Sequence, residues 1–103
     1  MKTVKPKHSK EFIAIREELA GIDEEILLAD GFEEALIGYA EVFHNTVALY
    51  DRDKCIEILM KRDGMDYDDA VEFFEFNVTG SYVGEYTPAF ATILRKPPKK
   101  KPS

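Results

Sequence analysis

One cysteine, Cys55, and two histidines, His8 and His44, are the whole thiol and imidazole complement of this 103-residue chain. A lone cysteine cannot form an internal disulfide, and such usage fits a reducing cytoplasm. The Asn77-Val78-Thr79 sequon is then chance. Two histidines so far apart exclude a histidine-rich metal site. The longest apolar stretches, such as residues 26–29 (ILLA), fall far short of the roughly 20 residues that cross a bilayer. The N-terminal lysines are followed by no apolar segment, so no secretory signal is expected. The glycines at 31, 38, 64, 80 and 84 stand singly, and neither GxGxxG nor the P-loop pattern occurs. Positive charge is scarce where negative charge is dense. Across residues 11–94 only Arg16, Arg52, Lys54, Lys61 and Arg62 oppose all 20 acidic residues, which gives that body a net charge of −15 in a chain of −6.

The missing cations lie at the ends. Lys2, Lys5, Lys7 and Lys10 give the first ten residues +4, and Arg95, Lys96, Lys99, Lys100 and Lys101 give the last nine +5. Such a body repels nucleic acid, while each end alone attracts it weakly. The basic ends carry no aromatic rings on which single-stranded bases could stack. The length suits one domain with a single core, and 45% hydrophobic with 33% charged residues is a folding composition. We therefore read residues 1–8 as a basic arm, 9–94 as one acidic domain and 95–103 as a Lys/Pro tail.

The domain reads as α+β, a small antiparallel sheet packed against about three helices. Ser9 is placed to cap a first helix with Phe12, Ile15 and Leu19 on its inner face, and Gly21 is expected to end it. Residues 25–29 read as a buried strand, leading into an Asp30-Gly31 turn. Residues 32–43 fit a helical stripe or a strand. A clear strand at 46–50 (TVALY), preceded by an expected His44-Asn45 turn, favours an antiparallel meander. Asp51 opens the strongest helix signal, with Cys55, Ile56, Leu59 and Met60 on one face, Lys61 and Arg62 at the negative end of its dipole, and Gly64 closing it. Asp66 caps another helix, with Asp69 completing a carboxylate capping box and Ala70, Val71, Phe74 and Val78 buried. Gly80 and Gly84 break up the segment beyond this helix. Residues 87–94 read as a last strand at a sheet edge, because Pro88 cannot donate to a ladder.

Residues 62–88 hold seven acidic and six aromatic side chains. A calcium loop needs an aspartate first, a glycine sixth and a glutamate twelfth, and taking Gly64 as the sixth residue places Leu59 first, so the match fails. Asp68, Glu72 and Glu75 instead share one exposed side of a helix, and Asp66 to Asp69 sit where the dipole favours negative charge. No metal or cofactor site is expected. Glu75, between Phe74 and Phe76, is the one carboxylate with apolar neighbours on both sides, but a helix that buries Phe74 turns Glu75 outward. Cys55 falls on an apolar face and reads as core filler, and His44 reads as a surface turn residue. No catalytic residue is assigned. Tyr82, Tyr86 and Phe90, separated by glycine and proline, suit either an exposed binding loop or packing on the preceding helix.

The order "VALYD…CIEILM…DGM…EFFEFNV…YVGE…TP", within residues 26–90, resembles a recurrent family of small proteins encoded by bacteriophages and prophages. The ends fall outside the resemblance. It implies expression in the cytoplasm of an infected or lysogenic bacterium from a host-directed or non-essential gene. It carries over no catalytic or binding residue.

Together these features lead us to expect a non-enzymatic binding or regulatory protein that docks on a basic surface of a host or phage protein, a nucleic-acid-handling one being the natural example. Asp30, Glu33, Glu34, Asp66, Asp68, Asp69 and Glu72 would form its rim, with Tyr82 and Tyr86 as anchors. Direct nucleic-acid binding by the acidic body and membrane binding are not expected. The alternatives are an assembly protein whose basic ends contact a neighbour's acidic body, and a small enzyme or ligand binder using Glu75 or Asp30 as base in an acidic pocket.

Overall fold

Three side-chain caps start the three helices. Ser9 Oγ accepts the Phe12 N–H at 3.0 Å, Asp51 Oδ1 accepts those of Asp53 (3.0 Å) and Lys54 (3.3 Å), and Asp66 Oδ1 accepts that of Asp69 (2.8 Å). Each satisfies an N–H that the first helical turn leaves without a partner. The elements are α1 (Lys10–Ile22), α2 (Arg52–Asp63) and α3 (Tyr67–Phe73). The structure is a computed structural model that describes residues 9–81 and 84–94. The expected arm at 1–8, the tail at 95–103 and Tyr82 lie outside the described residues.

The α+β reading holds. Strands β1 (Leu36–Val42) and β2 (Asn45–Asp51) form an antiparallel hairpin, with the register shifting between Leu36 and Gly38. The chain leaves β2 directly into α2, crosses through α3, and returns as β3 (Ala89–Ala91). That strand pairs with the other side of β2, Leu49 opposite Ala89 and Asp51 opposite Ala91. The sheet order is β1-β2-β3, so the last strand lies at an edge as expected. It runs parallel to β2, making the sheet mixed, because the two-helix crossover brings the chain back to the end of β2 from which it can run only in the same direction.

Three local expectations are corrected. Gly21 lies inside α1, and Asp23 ends the helix instead: its backbone is extended, its N–H bonds the Leu19 carbonyl, and its carboxylate accepts the Glu25 N–H at 2.9 Å. An aspartate that bonds two residues ahead competes with the helical ladder, and glycine is then not required. Residues 25–29 are not a strand. The Ala29 N–H donates to the Tyr50 hydroxyl oxygen at 2.7 Å, and Ala29 is buried with Ile26 and Leu28 packed against the core. The apolar run marks burial, but a side chain supplies the partner that a ladder would have given. The hairpin turn also falls one residue early, on Phe43 and His44.

The core is one cluster in which Leu36, Ala48 and Tyr50 from the sheet meet Phe12, Leu19, Cys55, Ile56, Leu59, Ala70, Phe74 and Val78 from the helical segments. Phe74 is its centre. Its ring meets Phe90 edge-on at 5.1 Å between centroids and Phe32 at 6.4 Å, and the Arg52 guanidinium lies over it at 5.7 Å. After Phe73 the backbone widens into a π-helical segment, Phe74–Val78, in which the Thr79 N–H reaches back to the Phe74 carbonyl. Across that turn Phe74 and Val78 stay buried while Phe76 faces solvent.

Phe43 combines a positive φ of 58° with 94% exposure. A bulky residue in that region is strained, and its ring gains little burial in exchange. Phe43→Gly is therefore expected to raise stability by about 1 kcal/mol, seen as a higher urea midpoint. A lower midpoint would mean that the ring stabilises the hairpin tip.

Candidate interaction surface

The helix from α3 through the π segment carries two stripes. Ala70, Val71, Phe74 and Val78 face the core. On the other side Met65, Asp69, Glu72, Phe73, Phe76 and Asn77 line a shallow groove of about 540 Å³. Residues 69, 72, 73 and 76 are spaced as one helical face, and Met65 precedes the Asp66 cap. Phe76 is 75% exposed and Phe73 is 38% exposed, with Tyr67 nearby in sequence at 57%. Among the described residues no lysine or arginine lines the groove. Asp66, Asp68, Asp69 and Glu72 are exposed, and none takes part in an ion pair among the described residues. Asp66 also serves as the α3 cap, so one of its oxygens is engaged. The result is an apolar floor with an anionic rim whose charge is not offset locally.

Glu33 and Glu34 lie elsewhere. They line a cleft of about 510 Å³ with Ser9, Phe12, Gly31, Lys54, Glu57, Ile58, Lys61 and Arg62. Here the cations are already engaged. Lys54 and Lys61 both pair with Glu57, at 3.5 and 3.1 Å, and together hold its carboxyl below the usual range. Arg62 grips the Asp63 carboxylate through Nε and Nη2 at 3.2 Å each, donates to the Gly31 carbonyl at 2.9 Å and covers the Phe32 ring. Glu33 accepts the Gly31 N–H at 3.1 Å. Asp30 is exposed in the adjoining turn. The expected rim thus falls into two groups on different elements, Asp30, Glu33 and Glu34 beside this cleft and Asp66, Asp68, Asp69 and Glu72 on α3. Of the two, the second includes Asp69 and Glu72, which border an apolar surface that no described cation lines.

Tyr86 is half-buried, and its hydroxyl donates to Asp23 Oδ2 at 2.8 Å. It closes the 84–88 segment onto the end of α1. The Glu25 N–H, and then Tyr86, hold the Asp23 carboxyl below its ordinary 3.8, and the same bond raises the Tyr86 phenol. A depressed carboxyl contributes stability above its unfolded pKa and loses it as pH falls through the folded value. The raised phenol contributes below its unfolded pKa and loses it as pH rises through the folded one. The stability difference between wild type and Tyr86→Phe is therefore expected to shrink in strong acid and in strong base. A difference that stays constant across both limits would contradict the bond.

Groups suited to covalent or acid–base work are buried, paired or exposed. Cys55 is fully buried, and burial first, then the Asp51 charge, pushes its thiol up to about 12. His44 is exposed in the hairpin turn. Glu75 points outward and pairs with Arg52 at 2.8 Å. A carboxylate base needs desolvation to raise its pKa, and none of the described charged residues is buried. Among the described residues no group of three or more His, Cys, Asp or Glu is placed to hold a metal ion, and no helix is long and apolar enough to cross a membrane.

Comparison with protein-family models, with curated proteins and with solved structures finds no match to this chain. Sequence reasoning placed the α3 acids but missed Met65, Phe73 and Phe76 as their partners. The available signal was an aromatic surplus: a helix burying Phe74 and Val78 has no inward place for Phe73 and Phe76 as well.

Proposed function

We propose that this is a non-enzymatic binding protein whose α3 face docks on a basic surface of another protein. The observation that carries the reading is the groove of Met65, Phe73 and Phe76 rimmed by Asp69 and Glu72, with no cation lining it among the described residues. Apolar surface kept in water and bordered by polar groups is the usual anatomy of a recognition site, the apolar part supplying affinity and the charged rim on-rate and selectivity. The −15 of residues 11–94 extends this bias beyond the site and steers positively charged partners toward it. The resemblance of residues 26–90 to phage-encoded proteins would place that partner, a nucleic-acid-handling protein being the natural class, in the cytoplasm of an infected bacterium.

The test is capture from bacterial lysate with the intact chain and with a neutral-rim variant, Asp68→Asn/Asp69→Asn/Glu72→Gln. A partner held at low salt, released at high salt and lost with the variant supports the reading. Equal capture by both proteins removes α3 from it. Self-association that weakens with salt would instead favour assembly through the basic ends.

A further inference from the structure

We infer that the occupant of the α3 groove is a basic amphipathic helix, with cations flanking a large apolar side chain that seats against Phe76. The inference rests on the proposed binding function and names the partner of that same surface. Three observations lead to it.

First, the groove is built along one helix. Asp69, Glu72, Phe73 and Phe76 recur at spacings of three, one and three across α3 and the π segment, forming a ridge about 8 residues long, or roughly 12 Å at the helical rise, and Met65, just ahead of the Asp66 cap, extends it. Side-chain ridges of this kind pack against the grooves of another helix. An extended peptide would gain less, because strand addition depends on free main-chain groups at a sheet edge. Helical backbone has its N–H and C=O groups bonded to each other.

Second, the floor is exposed, adaptable and apolar. Phe76 and Phe73 offer ring faces, and half-buried Met65 offers an unbranched thioether that adjusts to the shape of its neighbour. The inner stripe of the same helix is already fully used in the core, with Phe74 held by Phe32 and Phe90. Nothing among the described residues covers the outer one. The π segment carries the junction between the two: it keeps Phe74 and Val78 buried while Phe76 stands in solvent. Such insertions are common at functional sites.

Third, the rim has one sign among the described residues. Asp69 and Glu72 line the groove, and Asp66 and Asp68 extend the negative charge along the first turn of α3. The cleft beside α2 shows the contrast, since Lys54, Lys61 and Arg62 there neutralise Glu57 and Asp63 internally. An acidic helix, or one with an uncharged polar face, would leave the α3 carboxylates without partners. A lysine- or arginine-bearing helix pairs with them at the rim, where such contacts govern encounter rate and selectivity more than net affinity.

The experiment uses the full chain and three synthetic peptides of equal net charge: an amphipathic Leu/Lys helix, the same composition in scrambled order, and oligolysine. Affinities are measured by fluorescence anisotropy at low and high salt, for wild type, Phe76→Ser and the neutral-rim triple variant. Phe76 is exposed, so its replacement leaves the core intact, and thermal unfolding of each variant checks this. The amphipathic helix is expected to bind on the order of tenfold more tightly than the other two peptides, and Phe76→Ser is expected to erase that preference. The neutral rim is expected to weaken all three and to flatten their salt dependence. Equal binding of the three peptides to wild type, lost with the neutral rim, overturns the helix inference and leaves the acidic docking surface standing. A helix preference that survives Phe76→Ser also overturns the inference. Binding of none of the peptides overturns both.

Discussion

Phe74→Ala is expected to destabilise the domain by about 3–5 kcal/mol, a large share of the roughly 5–15 kcal/mol typical of domains this size. The ring is fully buried and forms edge contacts with Phe32 and Phe90 while supporting Arg52 above it. Its removal leaves a cavity where the turn before β1, the last strand and the α3 segment converge. The fitting control is two residues away. Phe76→Ala removes an equal ring from the opposite stripe and is expected to change stability by no more than about 0.5 kcal/mol. Urea denaturation of the pair reads the assignment of inner and outer faces directly. Equal losses would mean that Phe76 supports the core and is no free recognition surface.

Native Cys55 is expected to react with alkylating reagents at mildly alkaline pH at least about a thousandfold more slowly than in the urea-unfolded chain. Raising the thiol from 9.0 to about 12 reduces the reactive thiolate by that factor, before steric exclusion is counted. Labelling of the folded protein then proceeds through opening of the core, and its rate should rise in Phe74→Ala by about tenfold for each 1.4 kcal/mol of stability lost. Rapid stoichiometric labelling of the native protein would contradict the burial and would reopen the case for a nucleophilic cysteine.

The parts of the fold readable in the sequence are those governed by local chemistry. Ser9, Asp51 and Asp66 each cap a helix because a short oxygen-bearing side chain before an apolar periodicity has one favourable use. Gly64 ends α2 with φ 72°, a conformation other residues adopt at a cost. The missed features depend on distant partners. Nothing near residues 25–29 announces that the Tyr50 hydroxyl, 21 residues on, will take the Ala29 N–H and leave the run without a ladder. The parallel direction of β3 depends on how α2 and α3 pack, which their own patterns do not encode. In the same way the acids of α3 were visible as a solvated face, but the groove they border appears only once Phe74 has taken the inward position and Phe73 and Phe76 are left outside.

Electrostatics divides similarly. The excess of acids over bases is a matter of counting, whereas local neutrality is a matter of geometry. Glu57, which nothing in the sequence singles out, holds two lysines. Glu75, the one carboxylate with apolar neighbours on both sides in sequence, points outward as expected and pairs with Arg52. After these pairings the uncompensated charge is concentrated on fewer positions than composition suggests, and α3 carries four of them within seven residues.

The most direct test is to track the backbone amide resonances of the 15N-labelled chain while the basic amphipathic peptide is added. If the outer stripe of α3 is the docking face, the perturbed amides will cluster at residues 65–77, leaving the α1–α2 cleft near Gly31 and Ile58 unmoved. Shifts concentrated in that cleft, or spread evenly over every acidic residue, would contradict it.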